Sequence, residues 1–254
     1  MPFCVIKSRT IKIILSMAIV AVMLCLSIEG SAAAAVWFGS STRMVPIYSV
    51  ATEEKKIAIS FDAAWGADKT SQIIEVLNEY NVDATFFLVG FWVDKYPDKV
   101  KEIDENGFEI GTHSNTHPDM VKLDANTVKQ ELTTSIDKIK AVTGKEVSVF
   151  RPPFGSYNNT LLKVCDELNL KAVQWSVDTL DWKGLSGGEI CKRVMAKASN
   201  GGIILMHNNS DYIIDGLRLT LDWLTKSGYD VCSVSDLIYD SHYHIDANGV
   251  QHKN

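Results

Sequence analysis

The chain has 254 residues, of which 46% are hydrophobic and 22% are charged, and these proportions are ordinary for a globular protein. This length is sufficient for one large α/β domain or two small ones. The formal net charge is −6, and three basic residues and one acidic residue lie in the first 35 positions, so the remainder carries −8. Such an acidic domain argues against a nucleic-acid partner, which requires a basic face.

Residues 1–35 have the layout of a secretory signal. A short basic segment precedes the uncharged apolar run Ile13–Ile28, and small residues follow over Ser31–Ala35. The apolar run is shorter than the roughly 20 residues that span a bilayer comfortably, but a retained membrane anchor remains an alternative. In both cases we expect the following domain to be exported. Residues 36–54 are interpreted as a linker or a lead-in strand.

From residue 55 to residue 240, predicted strands and helices alternate. The predicted strands are Lys56–Phe61, Ala84–Val89, Phe108–Thr112, Val147–Phe150, Ala172–Ser176, Gly202–Met206 and Tyr229–Cys232. The predicted helices are Lys69–Tyr80, Pro97–Asn106, Asn126–Val142, Thr160–Leu168, Gly188–Ala198, Leu217–Ser227 and the short turn Ser235–Ile238. This alternation indicates a parallel sheet, and six or seven strands without a dinucleotide-binding fingerprint favour a barrel over an open sheet. The polar tail, residues 241–254, is expected to be loose.

The five cysteines do not indicate a metal site or a disulfide framework. No pair has the Cys-x-x-Cys spacing, and only Cys165, Cys191 and Cys232 lie in the domain. We expect these three side chains to pack in the core as small apolar groups.

Asp62 directly follows the alternating apolar strand that ends at Phe61. In a parallel α/β protein, the carboxyl ends of the strands are where active sites are built. Asp62 is therefore a candidate catalytic residue, although an Asp that caps a turn after a strand is an equally good interpretation of this segment alone.

Two imidazoles, His113 and His117, follow the predicted strand Phe108–Thr112. Histidines four residues apart can face the same way on one helical turn and share a metal. Two solvent-exposed histidines would produce the same spacing. The placement of His113, His117 and His207 at strand ends favours a functional site, whereas the other three histidines lie in the polar tail.

The fourth, fifth and sixth predicted strands also end in polar segments. The first of these, Arg151–Gly155, is a rigid loop because it holds two prolines, and it presents an arginine and an aromatic ring to a ligand. The segment Asp178–Trp182 offers two carboxylates and an indole, although a helix-capping loop is an alternative. His207 ends the sixth strand, and its imidazole suits proton transfer near neutral pH.

Together, these segments resemble the polysaccharide deacetylase family, also called the NodB-homology group or carbohydrate esterase family 4. The resemblance covers residues 55–240 and includes five motifs in the order of the family. It implies a distorted (β/α)7 barrel, in agreement with the strand count. It also implies removal of N-acetyl groups from amino-sugar polymers such as peptidoglycan, with a divalent metal (zinc, cobalt or manganese).

The resemblance assigns roles to individual residues of the proton-transfer machinery. Asp62 would be the general base, and Arg151 would keep it ionised through charge-assisted hydrogen bonds. His207 would be the general acid that protonates the leaving amine. Asp178 or Asp181 would orient His207, and Asp178 is the favoured residue.

The resemblance also assigns metal ligands and a substrate-binding wall. His113 and His117 would hold the metal. Leu205 and Trp182 would form the apolar pocket for the acetyl methyl group. The substrate-binding set is completed by Trp65, Phe154 and Pro153.

Ala63 departs from the family pattern, in which the residue after the general base is a second aspartate that binds the metal. Two histidines alone make a poor site, because catalytic zinc usually has three protein ligands. Asp68 in the same loop, extra waters or the substrate would complete the shell, or the protein would use little metal or none. We favour Asp68 as the N-cap of the following helix.

Three functions follow from this interpretation. The leading one is an exported deacetylase of peptidoglycan amino sugars, and Ala63–Gly66 resembles a sporulation-associated branch of the family that is linked to the spore cortex. The second is a carbohydrate-binding barrel with weak or no activity and a structural role in the wall or spore. The third is a hydrolase of another amide or ester on the same barrel.

Overall fold

The computed structural model describes residues 43–254, together with Met17 in the N-terminal part of the chain. Apart from Met17, the expected signal or anchor over residues 1–35 and positions 36–42 of the expected lead-in lie outside the described residues. Within the described part of the chain, no helix is both long and apolar enough to cross a membrane.

The strands of residues 43–254 form one mixed sheet. They are β1 (Ser49–Val50), β2 (Lys56–Ala63), β3 (Thr85–Leu88), β4 (Glu109–Thr112), β5 (Val149–Phe150), β6 (Lys171–Ala172), β7 (Val177–Asp178), β8 (Gly202–His207), β9 (Asp230–Cys232), β10 (Tyr243–Ile245) and β11 (Val250–Lys253). The spatial order is β10-β11-β1-β8-β2-β3-β4-β5-β6, with β7 beside β8 and β9 beside β2. All pairs among β2 to β9 are parallel, so their carboxyl ends meet at one end of the sheet.

Helices connect most of the parallel strands. They are α1 (Thr70–Tyr80), α2 (Gly90–Lys95), α3 (Pro97–Glu105), α4 (Ala125–Thr143), α5 (Asn159–Glu167), α6 (Gly187–Lys197), α7 (Ile213–Lys226) and α8 (Val234–Leu237). Short 3-10 turns lie at Met120–Lys122, Pro153–Gly155 and Asp181–Lys183. The predicted α/β class with a distorted, barrel-like sheet is confirmed, and the sheet is mixed because β1 pairs with β8, and β10 with β11, in antiparallel fashion.

The segment before β2 spans the gap between β6 and β8. Ile47 forms a parallel bridge with Val173, and Ser49 of β1 pairs in antiparallel fashion with Gly202 of β8. This short segment therefore joins the β6 side of the sheet to β8. As a result, the sheet curls into a distorted barrel.

Alternation along β2 separates two buried faces. Ile57, Ile59 and Phe61 belong to the larger apolar cluster, which includes residues of all the long helices. Ala58 belongs to a second cluster with Phe87, Cys232 and α8, whereas Ser60 and Asp62 continue the same face as buried polar residues. The face that begins as an apolar core thus ends in the polar groups of the site.

Several predicted boundaries are corrected. The helix predicted from Lys69 begins at Thr70, its N-cap is Lys69, and no side chain caps it, so the prediction of Asp68 as N-cap is wrong. The strand predicted over Ala172–Ser176 is replaced by β6 and β7, because the chain leaves the sheet between them. Helix α2 was not predicted, since its short sequence carries no clear helical periodicity.

The C-terminal tail is an ordered hairpin, so the expectation of a loose tail is wrong. β10 and β11 pair in antiparallel fashion, and β11 extends the sheet beside β1. Gln251 is buried, and its amide group exchanges hydrogen bonds with the backbone of Tyr239, accepting from N at 2.8 Å and donating to O at 2.8 Å. The sequence did not predict β11 because its buried residue, Gln251, is polar and the segment has no apolar alternation. Cys165, Cys191 and Cys232 are free and buried, as expected.

Candidate active site

The site is organised around two neighbouring parallel strands. Asp62 near the end of β2 and His207 at the end of β8 are register partners in the sheet. Side chains of register partners point to the same face, so a carboxylate and an imidazole face the same cavity. The cavity has a volume of about 660 Å³, and both residues line it.

Asp62 is held by a fully buried arginine. Arg151 donates from Nη1 to Asp62 Oδ1 at 2.9 Å, and from Nη2 to Ser60 Oγ at 2.8 Å and to the Gln174 carbonyl at 3.1 Å. Its guanidinium lies 4.2 Å from the centroid of the Phe87 ring. The guanidinium is therefore fixed beneath Asp62, and the predicted contact between Arg151 and Asp62 is confirmed.

The pKa of Asp62 lies below its ordinary value. Burial raises the pKa of this carboxyl, but the charges of His113, Arg151 and His207 and the hydrogen bond from Arg151 together lower it by more. Asp62 is therefore ionised at neutral pH, which is the state that a general base requires.

His207 is oriented by Asp181. The His207 Nδ1–H donates to Asp181 Oδ1 at 2.7 Å, and the His207 backbone N–H donates to Asp181 Oδ2 at 2.7 Å. The preference for Asp178 as the orienting residue is wrong. The chain turns at Leu180, which has a φ of +51°, and the 3-10 turn that follows places Asp181 under the end of β8. Asp178 instead accepts the Leu180 N–H at 2.9 Å and lines the cavity.

The pKa of His207 lies above its ordinary value. Burial lowers the pKa, but the hydrogen bond and charge of Asp181, together with the charges of Asp62 and Asp178, raise it by more. Because Nδ1 is committed to Asp181, Nε2 is the nitrogen left to deliver a proton into the cavity.

His113 and His117 lie on a loop rather than on the expected helical turn. Ser114 and His117 both have positive φ, +69° and +58°, which brings the two imidazole rings to a centroid distance of 4.9 Å. His113 Nδ1–H donates to the Arg151 carbonyl at 2.7 Å, so its Nε2 carries the free lone pair, 3.4 Å from Asp62 Oδ2. Burial lowers the pKa of both rings, that of His117 to about 4, so His117 is neutral at pH 7.

These imidazoles supply only part of a metal site. An imidazole whose other nitrogen donates to a backbone carbonyl, as in His113, is a typical metal donor. However, no group of three or more His, Cys, Asp or Glu side chains within residues 43–254 has the geometry to hold an ion. Ala63 occupies the position of the missing ligand, and Asp68 is exposed and does not line the cavity. The donor set therefore does not fit a site with three protein ligands.

Aromatic side chains form the rim of the cavity. Trp65, Phe154 and Trp182 are exposed by 59%, 66% and 58%, and all three line it. The rings of Trp65 and Phe154 flank His117 at centroid distances of 5.1 Å and 4.6 Å. Leu205 is buried in the lining, whereas Pro153 is buried and does not line the cavity.

Three supporting residues were missed in the sequence. Glu131 on α4 accepts the backbone N–H groups of Asn115 (2.9 Å) and Thr116 (2.8 Å) and the Thr116 hydroxyl (2.7 Å). Asn208 and Trp92 both donate to the carbonyl of Gly66, at 2.9 Å and 2.7 Å. These contacts fix the loops that carry His117 and Trp65, and they depend on tertiary placement, for which the sequence carries no local signal.

Comparison with known proteins identifies the family. A family model described as polysaccharide deacetylase matches residues 49–173. The peptidoglycan-N-acetylmuramic acid deacetylase PdaA of Bacillus subtilis is 32% identical, over 74% of this chain and 73% of that protein. The peptidoglycan-N-acetylglucosamine deacetylase PgdA of Listeria monocytogenes is 34% identical, over 78% of this chain and 42% of that protein. This chain spans about half the length of several curated relatives that it matches.

A similar solved structure is that of BA3943, described as a pseudoenzyme of carbohydrate esterase family 4 from Bacillus anthracis. It has a TM-score of 0.74 and 31% identity, over 83% of this chain and 73% of that one. A mutant of the same protein, described as having restored enzymatic activity, has a TM-score of 0.74 and 35% identity, over 76% and 71% of the two chains.

Proposed function

The chain belongs to the polysaccharide deacetylase family of carbon–nitrogen hydrolases, and from that premise we propose that it removes N-acetyl groups from amino sugars of peptidoglycan. The observation that carries the proposal is the arrangement of Asp62 and His207. They are register partners on one cavity wall, each with its own buried counter-charge, Arg151 and Asp181. Opposite displacements of their pKa values give one base and one acid at the same pH.

The proposed reaction uses these two groups in sequence. Asp62 accepts a proton from a water molecule as the oxygen of that water bonds to the acetyl carbonyl carbon. His207 donates its Nε2 proton to the amide nitrogen as the carbon–nitrogen bond breaks, giving acetate and a free amine. Buried Leu205 supplies apolar surface for the acetyl methyl group, and Trp182 stands at the rim.

The test is acetate release from purified peptidoglycan by the full chain and by two variants. Asp62→Asn and His207→Ala are each expected to lower the rate by about 10²- to 10⁴-fold, the usual contribution of a general base or acid. Asp137→Asn and His244→Ala, exposed positions outside the cavity, are the matched controls. Unchanged rates in both site variants would refute the assigned roles.

The same proposal includes a divalent metal. His113 and His117 are the residues that would hold zinc, cobalt or manganese, which polarises the amide carbonyl when bound. Since the set lacks a third ligand, the roles of Asp62 and His207 are derived without it.

Ala63 favours a second candidate function, a carbohydrate-binding barrel with little or no turnover. The pseudoenzyme among the similar structures supports this alternative, and the exposed rings of Trp65, Phe154 and Trp182 are suited to contact sugar faces. Glycan binding without acetate release under any metal condition would establish it.

We also propose that the domain works outside the cytoplasm, secreted or membrane-anchored, in the cell wall or the spore cortex. The support is the signal-like layout of residues 1–35 and the resemblance of Ala63–Gly66 to the sporulation-associated branch. Protease accessibility of the full chain in intact cells tests export, and a cytoplasmic, protected domain would contradict it.

A further inference from the structure

The charged groups that line the cavity are nearly all carboxylates. Asp62, Asp178, Asp181 and Asp211 line it, together with three histidines, and no lysine or arginine is among its lining residues. A ligand that enters this space therefore meets acidic groups and has no unpaired cation to bind.

The buried cations beside the cavity are already paired. Arg151 contacts Asp62 at 2.9 Å, and His207 contacts Asp181 at 2.7 Å. Asp178 has no such partner, because no ion pair to its carboxylate exists among residues 43–254, and Arg193 donates to its backbone carbonyl at 3.0 Å instead. Asp178 is thus a half-buried carboxylate of the cavity without an ion-pair partner among residues 43–254, and its charge acts only at longer range, on the pKa of His207.

Two lysines that contact residues of the cavity lining do not change this balance. Lys69 Nζ donates to the Ser210 carbonyl at 2.7 Å and lies 3.9 Å from Asp211. Lys183 Nζ lies 5.0 Å from the centroid of the Trp182 ring and is solvent-exposed. Neither of these residues lines the cavity.

Asp178 lies where a bound substrate would contact it. Its register partner in β8 is Leu205, two residues before His207, so its carboxylate lies near the group that protonates the leaving amine. A substituent next to the N-acetyl group of a bound sugar can therefore reach Asp178 within the same cavity.

Building on the proposed deacetylase function, we propose that Asp178 is a specificity residue that admits neutral N-acetylglucosamine and excludes sugars that bear a carboxylate. N-acetylmuramic acid differs from N-acetylglucosamine by a lactyl ether that ends in a carboxyl group. Placing that charge beside Asp178, away from bulk water and without a cation, is strongly unfavourable. The aromatic rim, by contrast, suits the uncharged face of either sugar.

The test uses glycan strands freed of their stem peptides, in which the two sugars alternate and compete within one molecule. The full chain is incubated with these strands, and mass spectrometry identifies the sugars that have lost acetyl groups. We expect at least about tenfold preference for N-acetylglucosamine, since like charges brought together in an interface cost several kcal/mol. Preference for N-acetylmuramic acid would overturn the inference.

A variant and a modified substrate separate charge from bulk. Asp178→Asn is expected to raise the share of deacetylated muramic acid by about tenfold, whereas the exposed control Asp137→Asn leaves it unchanged. Converting the lactyl carboxyl groups to methyl amides keeps their bulk and removes their charge, and it should raise the same share in the unmodified protein. If neither change alters the ratio, the exclusion does not depend on Asp178.

If no strand is deacetylated, the proposed activity is refuted. The role of Asp178 in specificity is then tested by measuring glycan binding. Tryptophan fluorescence of the full chain is titrated with an N-acetylglucosamine tetramer and with the peptide-free strands, since Trp65 and Trp182 line the cavity. Tighter binding of the neutral tetramer, with the difference reduced in Asp178→Asn, supports the specificity role. Equal or reversed affinities would overturn it.

Discussion

At the scale of single residues, Asp62 and His207 each owe their charge to a neighbour that outweighs the effect of burial. Burial alone would raise the pKa of Asp62 and lower that of His207, and so disfavour the charged form of both groups. The charges of His113, Arg151 and His207 reverse this tendency at Asp62, and Asp181, with Asp62 and Asp178, reverses it at His207. The catalytic charge states therefore depend on two buried partners that do not themselves react with substrate.

Asp181→Asn is expected to move the alkaline limb of the pH–rate profile to lower pH. His207 must be protonated to act as the acid, so activity is lost as the pH rises through its pKa. Removing the carboxylate that raises this pKa lowers it, and the loss then begins at lower pH. NMR titration of the His207 imidazole gives the same pKa independently of activity, and an unchanged titration curve would contradict this role of Asp181.

Arg151→Met is expected to lower the free energy of unfolding by about 3–5 kcal/mol, because it leaves the carboxylate of Asp62 buried without its partner. Urea denaturation measures the change. Arg218→Met, which removes the exposed ion pair to Glu79, is the control and should cost much less. A similar decrease in the free energy of unfolding in the two variants would show that the buried ion pair stabilises the fold no more than the exposed one.

At the scale of elements, the His113–His117 loop is held from two sides. The N-terminal amides of α2, at Gly90 and Phe91, donate to the carbonyls of Ser114 and Asn115 at 2.9 Å and 3.1 Å. Glu131 of α4 accepts the amides on the other side. Two helices thus maintain the positive φ values that bring the histidines together.

Glu131→Gln is expected to increase hydrogen exchange of the Asn115 and Thr116 amides by about fivefold, since bonds to a charged acceptor are stronger by about 1 kcal/mol. Acetate release should fall with it, because His117 loses its fixed position. Exchange mass spectrometry of the loop peptide provides the measurement, with Asp137→Asn on the same helix as control. Unchanged hydrogen exchange in Glu131→Gln would show that Glu131 does not hold this loop in place.

The C-terminal hairpin is expected to contribute to the stability of the barrel. Gln251→Ala leaves the Tyr239 N–H and carbonyl without their partners, which should cost about 1–3 kcal/mol of unfolding free energy. Lys253→Ala changes an exposed position on the same strand and should have little effect. A denaturation midpoint shared by both variants and the unchanged protein would mean that β11 is dispensable.

At the scale of the whole molecule, sequence was informative where the signal was local. Alternating apolar runs located most parallel strands, and the polar residues that follow them, such as Asp62 and His207, meet at one end of the sheet because the strands are parallel. The choice of Asp181 over Asp178 depended on a left-handed turn at Leu180 that no sequence pattern marks. Glu131 was missed because helical periodicity does not show which loop a polar side chain contacts, and β11 was missed because its buried residue, Gln251, is polar.

Acetate release from purified peptidoglycan by the full chain shows directly whether this cavity hydrolyses N-acetyl groups. It is measured on the protein as isolated, after chelation, and after addition of zinc, cobalt or manganese. The placement of Asp62 beside His207 predicts release in at least one of these conditions, and loss of that release in Asp62→Asn. No release in any condition, from a folded protein that still binds the glycan, would contradict the hydrolase and leave a carbohydrate-binding barrel.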